Sequence, residues 1–202
     1  RVSRVSDEAP VPIIHVGDER WTAGGAANVA ANVAALGGKA LLVGVTGGDH
    51  AASTLAGILA DLASAIETHL ITEPGRPTTI KTRYMGGQHQ IVRVDREHSG
   101  AVGKATEDRL IAAVDMLADD CDAIMISDYA KGALTDRVLT AIMAAGKKAG
   151  VPIIVDPKRN DWSIYRGAAI ITPNRKELQL ATHALCGSDA ECADAAGRAI
   201  AT

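Results

Sequence analysis

Apolar positions along this chain follow two rhythms. The run Ala40-Leu41-Leu42-Val43-Gly44-Val45 is unbroken, as expected of a strand covered on both faces. Leu55, Ile58, Leu59 and Leu62 then recur at helical spacing, and Ile66 to Ile71 reads as the next strand. From Thr106 onward the two types alternate. Leu110, Ile111, Val114 and Leu117 mark a helix opened by Thr106-Glu107-Asp108. Ala123 to Ser127 is a strand, and Val138, Leu139, Ile142 and Met143 lie on a helix that starts at Thr135 and closes near Gly150. Val151 to Val155 and Ala168 to Thr172 are strands, and a helix follows through Leu178 and Leu180. Strands alternating with helices predict a parallel sheet with helices on both faces.

Residues 78–96 keep a different beat. Thr79, Lys81 and Arg83 alternate with Ile80, Thr82 and Tyr84, and Ile91, Arg93 and Asp95 alternate with Val92 and Val94. Gly86-Gly87 lies between the two arms. Period-two alternation around a glycine pair predicts an antiparallel hairpin with one wet face, read here as an exposed flap. At the N-terminus, residues 1–9 read as polar and irregular. Pro10-Val11-Pro12 makes an extended entry to Ile13, Ile14 and Val16, an edge strand by its prolines.

Between these regions lies Ala23-Gly24-Gly25-Ala26-Ala27-Asn28-Val29-Ala30. Adjacent glycines permit backbone angles closed to other residues and let a neighbour approach the main chain. A helix start adds unpaired N–H groups and a partial positive end. Asn28 and Asn32, four apart, share a helix face. The spot suits a hydroxylated or anionic ligand; it equally suits a tight turn into a close-packed, alanine-rich helix.

Composition narrows the classes. The 202 residues suffice for one sizeable core, which Leu, Ile, Val and Ala must fill because Phe is absent. With 21 basic and 24 acidic residues the net charge is −3, which argues against nucleic acid recruited by bulk charge. No apolar run reaches the roughly 18 residues of a membrane helix, and no signal peptide is visible. Cys121, Cys186 and Cys192 form an odd, unpatterned set, in keeping with a reducing cytoplasm. The chain starts at Arg1 in what reads as mid-domain sequence, so an incomplete domain is expected.

The candidate chemistry gathers where parallel strands end, the place at which open sheets bind ligands. Ser127-Asp128-Tyr129-Ala130-Lys131-Gly132, Asp156-Pro157-Lys158 and Thr172-Pro173-Asn174-Arg175-Lys176-Glu177 stand at three such ends. Asn174 and Glu177 have capping-box spacing, which accounts for both without a ligand. Alternatively they face a nucleotide phosphate and its Mg²⁺, an ion that keeps several waters and prefers oxygen, while Lys158 and Lys176 offset phosphate charge. P-loop, dinucleotide and nucleophile-elbow motifs are missing.

Taken in order, these segments resemble the ribokinase-like (PfkB-type) sugar kinases. Gly24 to Ala30 resembles that family's first signature, the polar extended segments its β-lid, and Asn174-Arg175-Lys176-Glu177 its N-x-x-E element. Arg4 to Pro12, Ser127 to Gly132 and Asp156 to Lys158 are similar to the D-glycero-β-D-manno-heptose-7-phosphate kinase branch, found as the kinase half of bifunctional ADP-heptose synthesis proteins. The resemblance implies a three-layer α/β/α fold with a mostly parallel central sheet and a small β-lid, incomplete at both ends. Residues 1–202 would be a partial kinase domain with lid strands at about 10–22 and 76–96.

The activity implied is transfer of the γ-phosphoryl group of ATP, with Mg²⁺, to the anomeric hydroxyl of the heptose phosphate, on the route to lipopolysaccharide core. It implies that Gly24, Gly25, Asn28 and Asp128 contact sugar. Lys158, Asn174, Arg175, Lys176 and Glu177 would serve the nucleotide, with Glu177 holding the metal through water. Lys81, Arg83 and Arg93 on the flap are the candidates for a phosphorylated substrate's extra charge, and the lid would form a homodimer. The family's G-A-G-D signature, whose Asp is the base, has no match; Gly187-Ser188-Asp189 departs from it. The resemblance implies that this Asp lies beyond Thr202, so no residue of the chain is assigned as catalytic. The 202 residues alone are therefore expected to lack turnover. The alternatives are another PfkB-type carbohydrate or nucleoside kinase, or a non-catalytic sugar-binding module.

Overall fold

The computed structural model describes residues 2–5, 12–62 and 64–200. Within them, nine strands and six α-helices run in the order β1 (Val2–Val5), β2 (Pro12–Ile14), α1 (Ala26–Ala35), β3 (Ala40–Thr46), α2 (His50–Ala60), β4 (Ile66–Thr72), β5 (Ile80–Gly86), β6 (His89–Arg96), α3 (Lys104–Leu117), β7 (Ile124–Ser127), α4 (Asp136–Ala149), β8 (Ile153–Asp156), β9 (Ile170–Ile171), α5 (Arg175–Thr182) and α6 (Asp189–Ile200).

The parallel strands form two sets among the described residues. β3 pairs with β4 from Ala40↔Ile66 to Thr46↔Thr72, and β8 sits between β7 and β9. Alternate side chains of β3 go to opposite faces. Leu42 packs with Ala27 and Ala30 of α1, Leu59 of α2 and Ile66 of β4. Val43 and Val45 join the larger core of Ile71, Leu110, Ile126, Val138, Leu139, Ile142, Ile153 and Val155. That core draws on α3, α4 and both parallel sets, so helix, sheet and helix layers meet at β3–β4 as the α/β reading required. On β7 and β9 the core face is apolar, while Met125 and Ile170 point the other way and are half exposed.

The flap is the antiparallel pair β5–β6, turned at Gly87-Gln88, with a register shift beside Tyr84 and Met85. Three boundaries differ from expectation. Val2–Val5, read as irregular, is a strand antiparallel to β2; its ladder is supplied by a distant partner, not by its own alternation. β2 ends at Ile14, and residues 15–22 run without a ladder. Residues 10 and 11 of that expected lid strand, and 6–9 before them, lie outside the described residues. α3 begins at Lys104 rather than Thr106, because Gly103 takes the cap and the Thr106 hydroxyl turns aside to donate to Glu73. At the other end of the chain, Thr202, the residue beyond which the Asp base is expected, also lies outside the described residues.

Candidate functional site

The glycine pair does open a helix. Gly25 is the N-cap of α1 with φ 55° and ψ −136°, a conformation that strains any residue with a Cβ. A Cβ there would lie 3.6 Å from Cε2 of Tyr129. The turn and the loop after β7 are thus neighbours, which joins two of the predicted segments. Gly24 is exposed, and Asn28 and Asn32 lie exposed on the helix face opposite buried Ala27 and Ala30.

At the end of β7, Asp128 is 3% exposed. One oxygen accepts from the Tyr165 hydroxyl at 2.6 Å and from Arg159 Nε at 3.3 Å; the other accepts from the Ala130 amide at 2.7 Å. Burial first, then the bond to Asp128, pushes the Tyr165 phenol well above its usual range, so it stays a donor. Arg159 reaches on to Asp136 and to the Leu134 carbonyl. Asp128, expected to contact sugar, has both oxygens engaged by the protein, and through Ala130 and Arg159 these bonds tie it to the 128–136 loop.

The nucleotide-side residues gather at the ends of β8 and β9. Asn174 caps α5, accepting from the Glu177 amide at 3.0 Å, while Glu177 accepts from the Asn174 amide at 2.9 Å. The capping box is therefore complete, and the other Glu177 oxygen is 3.0 Å from Lys158 Nζ. Burial raises the Glu177 carboxyl, but the Asn174 amide and Lys158 outweigh it and leave it below its usual range. Asp156 is raised, by burial first and then by Glu177. Its carboxylate has no hydrogen-bond partner among the described residues, and neither does the buried Ser127 hydroxyl opposite it in the ladder. Arg175 turns away, to the Gly187 carbonyl and Asp189. Lys176 is exposed, with no ion-pair partner among the described residues.

This arrangement fits Mg²⁺–ATP in a specific way. No group of three or more His, Cys, Asp or Glu forms a metal cage among the described residues. Asp156 and Glu177 set two negative charges against the single positive charge of Lys158, a net negative, oxygen-lined setting that suits an ion that keeps most of its water. Glu177 and Asp156 would hold that hydrated ion and Lys158 the phosphates; a divalent ion there supplies charge neutralisation for phosphoryl transfer.

The flap's charges share one face, since Lys81 and Arg83, like Arg93 and Asp95, are two apart. Lys81 Nζ bridges Asp95 (3.0 Å) and Glu97 (3.1 Å), and Arg93 pairs with Asp95 at 2.9 Å. Arg83 stands directly opposite Arg93 in the ladder and has no side-chain partner among the described residues. Glu97 reaches Lys131, in the loop after β7, at 2.5 Å. The flap root is pinned elsewhere too. Asp49, N-cap of α2, accepts from the Thr78 amide and Arg96, and Arg76 donates to the carbonyls of His98, Lys131 and Gly100. Sequence reasoning singled out none of Glu97, Arg159, Tyr165, Asp49 or Arg76; their partners include residues 22 or more positions away, beyond the reach of any local pattern.

Known proteins share this fold. Residues 1–202 match the family described as pfkB family carbohydrate kinase. The chain is 50% identical over 200 residues to bifunctional protein HldE of Azorhizobium caulinodans, covering 98% of this chain and 42% of that protein. It is 46% identical to HldE of Caulobacter vibrioides over 99% of this chain and 41% of that one. The chain thus spans about two fifths of the length of these relatives. Among solved structures, Escherichia coli phosphofructokinase-2 in a tetrameric inhibited form superposes with TM-score 0.67 at 22% identity, over 94% of this chain and 64% of that one. Arabidopsis thaliana ribokinase, complexed with ribose and ATP, gives 0.64 at 18% identity, over 93% and 60%. These two show the fold. With the family match running from the first residue to the last and half the positions shared with an HldE protein, the chain belongs to the pfkB family of carbohydrate kinases.

Proposed function

We propose that this chain forms the sugar-binding side and part of the nucleotide-binding side of an ATP-dependent kinase for D-glycero-β-D-manno-heptose 7-phosphate. The phosphoryl group goes to the anomeric hydroxyl, on the way to ADP-heptose and lipopolysaccharide core. The observation that carries the reading is the meeting of three elements at the C-terminal ends of the strands. The Gly25 turn lies against Tyr129, Lys158 and Glu177 face each other across β8 and α5, and the cationic flap face is tied to Lys131 through Glu97. The similarity to HldE proteins supports the choice of the heptose among sugars.

Gly24, Gly25 and Asn28 are assigned to the sugar; Lys81, Arg83 and Arg93 to its phosphate; and Lys158, Asn174, Lys176 and Glu177 to ATP and, through water, Mg²⁺. Asp128 and Arg175 are positioning residues. The chain works as a homodimer through the flap, whose other face carries Val92 and Val94, 40% and 53% exposed. An exposed apolar strand face of this kind fits a second copy of itself. The catalytic base is assigned to the longer protein, beyond Thr202. Asp189, the nearest sequence counterpart to the family's base, is fully exposed and paired with Arg175.

Calorimetry with the heptose phosphate, beside ³¹P NMR with ATP and Mg²⁺, tests this. Sugar-phosphate binding without bisphosphate formation by the 202 residues is expected. Tighter binding of ribose or an unphosphorylated ketose would overturn the substrate, and accumulation of heptose 1,7-bisphosphate would overturn the assignment of the base beyond Thr202.

A further inference from the structure

Glu97 occupies a position unlike that of any other carboxylate among the described residues. It is the first residue past β6, and each of its oxygens holds a different lysine: Lys131 of the β7 loop at 2.5 Å and Lys81 of the flap at 3.1 Å. All three side chains are partly open to water, at 22% for Glu97 and 33% for each lysine. Two ammonium groups converging on one carboxylate reproduce the setting a phosphate monoester seeks.

The surrounding charge is unbalanced. On this face Lys81, Arg83, Arg93 and Lys131 oppose only Asp95 and Glu97 among the described residues. Arg83 and Arg93 face each other across the ladder, an arrangement that destabilises a hairpin unless an anion is drawn to it. Two positive charges in excess match a dianion.

We infer that Glu97 is a resident anion: it fills a phosphate site formed by Lys81 and Lys131 when no ligand is present, and releases both lysines to the ligand's phosphate when one binds. This rests on the sugar-phosphate reading above, adds Lys131 to the site, and gives the flap a reason to move. Because Glu97 ties the flap to the β7 loop, its exchange for a ligand replaces an internal tether with one made through the ligand. A sugar without a phosphate leaves that tether in place, so the device discriminates for phosphorylated sugars.

The test needs neither ATP nor sugar. Inorganic phosphate is titrated calorimetrically, at fixed ionic strength, into the chain and its Glu97→Gln, Lys131→Met and Glu97→Gln/Lys131→Met variants, each checked for native circular dichroism. Glu97→Gln is expected to bind phosphate about tenfold more tightly, because the competitor's charge is gone while its shape remains, and Lys131→Met to abolish that gain. Amide exchange of residues 96–100 should quicken on phosphate addition in the unaltered chain but not in Glu97→Gln, where the tether is already cut. Unchanged or weaker binding by Glu97→Gln, no binding in the high millimolar range, or equal binding by all four proteins would overturn the inference. A chain that passes here but prefers another sugar loses only the heptose reading; one that binds the heptose phosphate with no effect of Glu97 loses only this inference.

Discussion

Asp128 and Glu97 are each held by more than one donor, yet they do opposite work. Asp128 is 3% exposed and accepts from the buried Tyr165 phenol, the Arg159 guanidinium and the Ala130 amide. Glu97 is 22% exposed and accepts from two flexible lysines. A carboxylate removed from water holds its partners because parting from them leaves buried polar groups unpaired. A carboxylate in contact with water gives up partners at little cost, since its ion pairs are worth about 1 kcal/mol or less. A carboxylate shut away from water thus stands at the end of β7 and one in contact with water at the flap root, and under the inference above ligand exchange falls to the second.

The largest effect expected from this difference is at Asp128. Asp128→Ala strands the buried Tyr165 hydroxyl and takes from Arg159 one of its three acceptors, and should cost about 3 kcal/mol in urea denaturation. A loss below about 1 kcal/mol would mean that the buried network is no more fixed than a surface pair. Next comes the seam where the two regions touch. Gly132 has φ +82°, and a Cβ on it would lie 2.0 Å from the Gly100 carbonyl oxygen. Gly132→Ala must push the Gly100–Ala101 segment, between β6 and α3, off the β7 loop, at about 2–3 kcal/mol by denaturation, and should also blunt the response of residues 96–100 to phosphate.

What could be read before folding separates along the same line. Asn174 and Glu177 bond to each other three residues apart, Gly150 ends α4 in a left-handed turn, and Gly86-Gly87 sits at the tip of a hairpin. Each is a local rule acting within one element, and each was visible as spacing. Asp128 was visible as a polar strand end, but its role was not, because Arg159 and Tyr165 lie 31 and 37 residues on. Alternation puts Lys81, Arg83 and Arg93 on a hairpin, and a phosphorylated substrate's need for cations singles them out, yet nothing local announces that Arg83 would face Arg93 or that Glu97 would bridge to Lys131. Register and tertiary approach decide those, and β1 escaped notice for the same reason.

The flap root gives a smaller, pH-dependent effect. Asp49 is held down to about 2 from 3.8, chiefly by hydrogen bonds from the Thr78 side chain and amide. A carboxyl lowered by folding stabilises the fold fully above its unfolded value, and that contribution fades as the pH falls through the folded value. Asn at this position still caps α2 but carries no charge. The unaltered chain should therefore exceed Asp49→Asn by about 1 kcal/mol near neutral pH, after allowance for partial exposure, and the two should converge between pH 3.8 and about 2. Parallel pH curves would place the Thr78 and Arg96 contacts with the exchangeable charges instead.

The smallest effect on folding is the most informative about ligand binding. Arg83 is exposed, lacks a partner among the described residues and faces a like charge. Replacing it with Gln removes the repulsion and leaves an uncharged side chain with similar reach. Stability should stay within about 0.5 kcal/mol of the parent, on the favourable side. If the cationic face receives a phosphate, the same change removes a charge-assisted donor, and affinity for the sugar phosphate should fall about tenfold, corresponding to about 1.4 kcal/mol. Affinity for an unphosphorylated sugar should be untouched. A variant that folds as well as its parent and loses only the phosphorylated ligand would separate the flap's binding role from its structural one. No loss for either sugar would instead return Arg83 to the ordinary solvated surface of a hairpin.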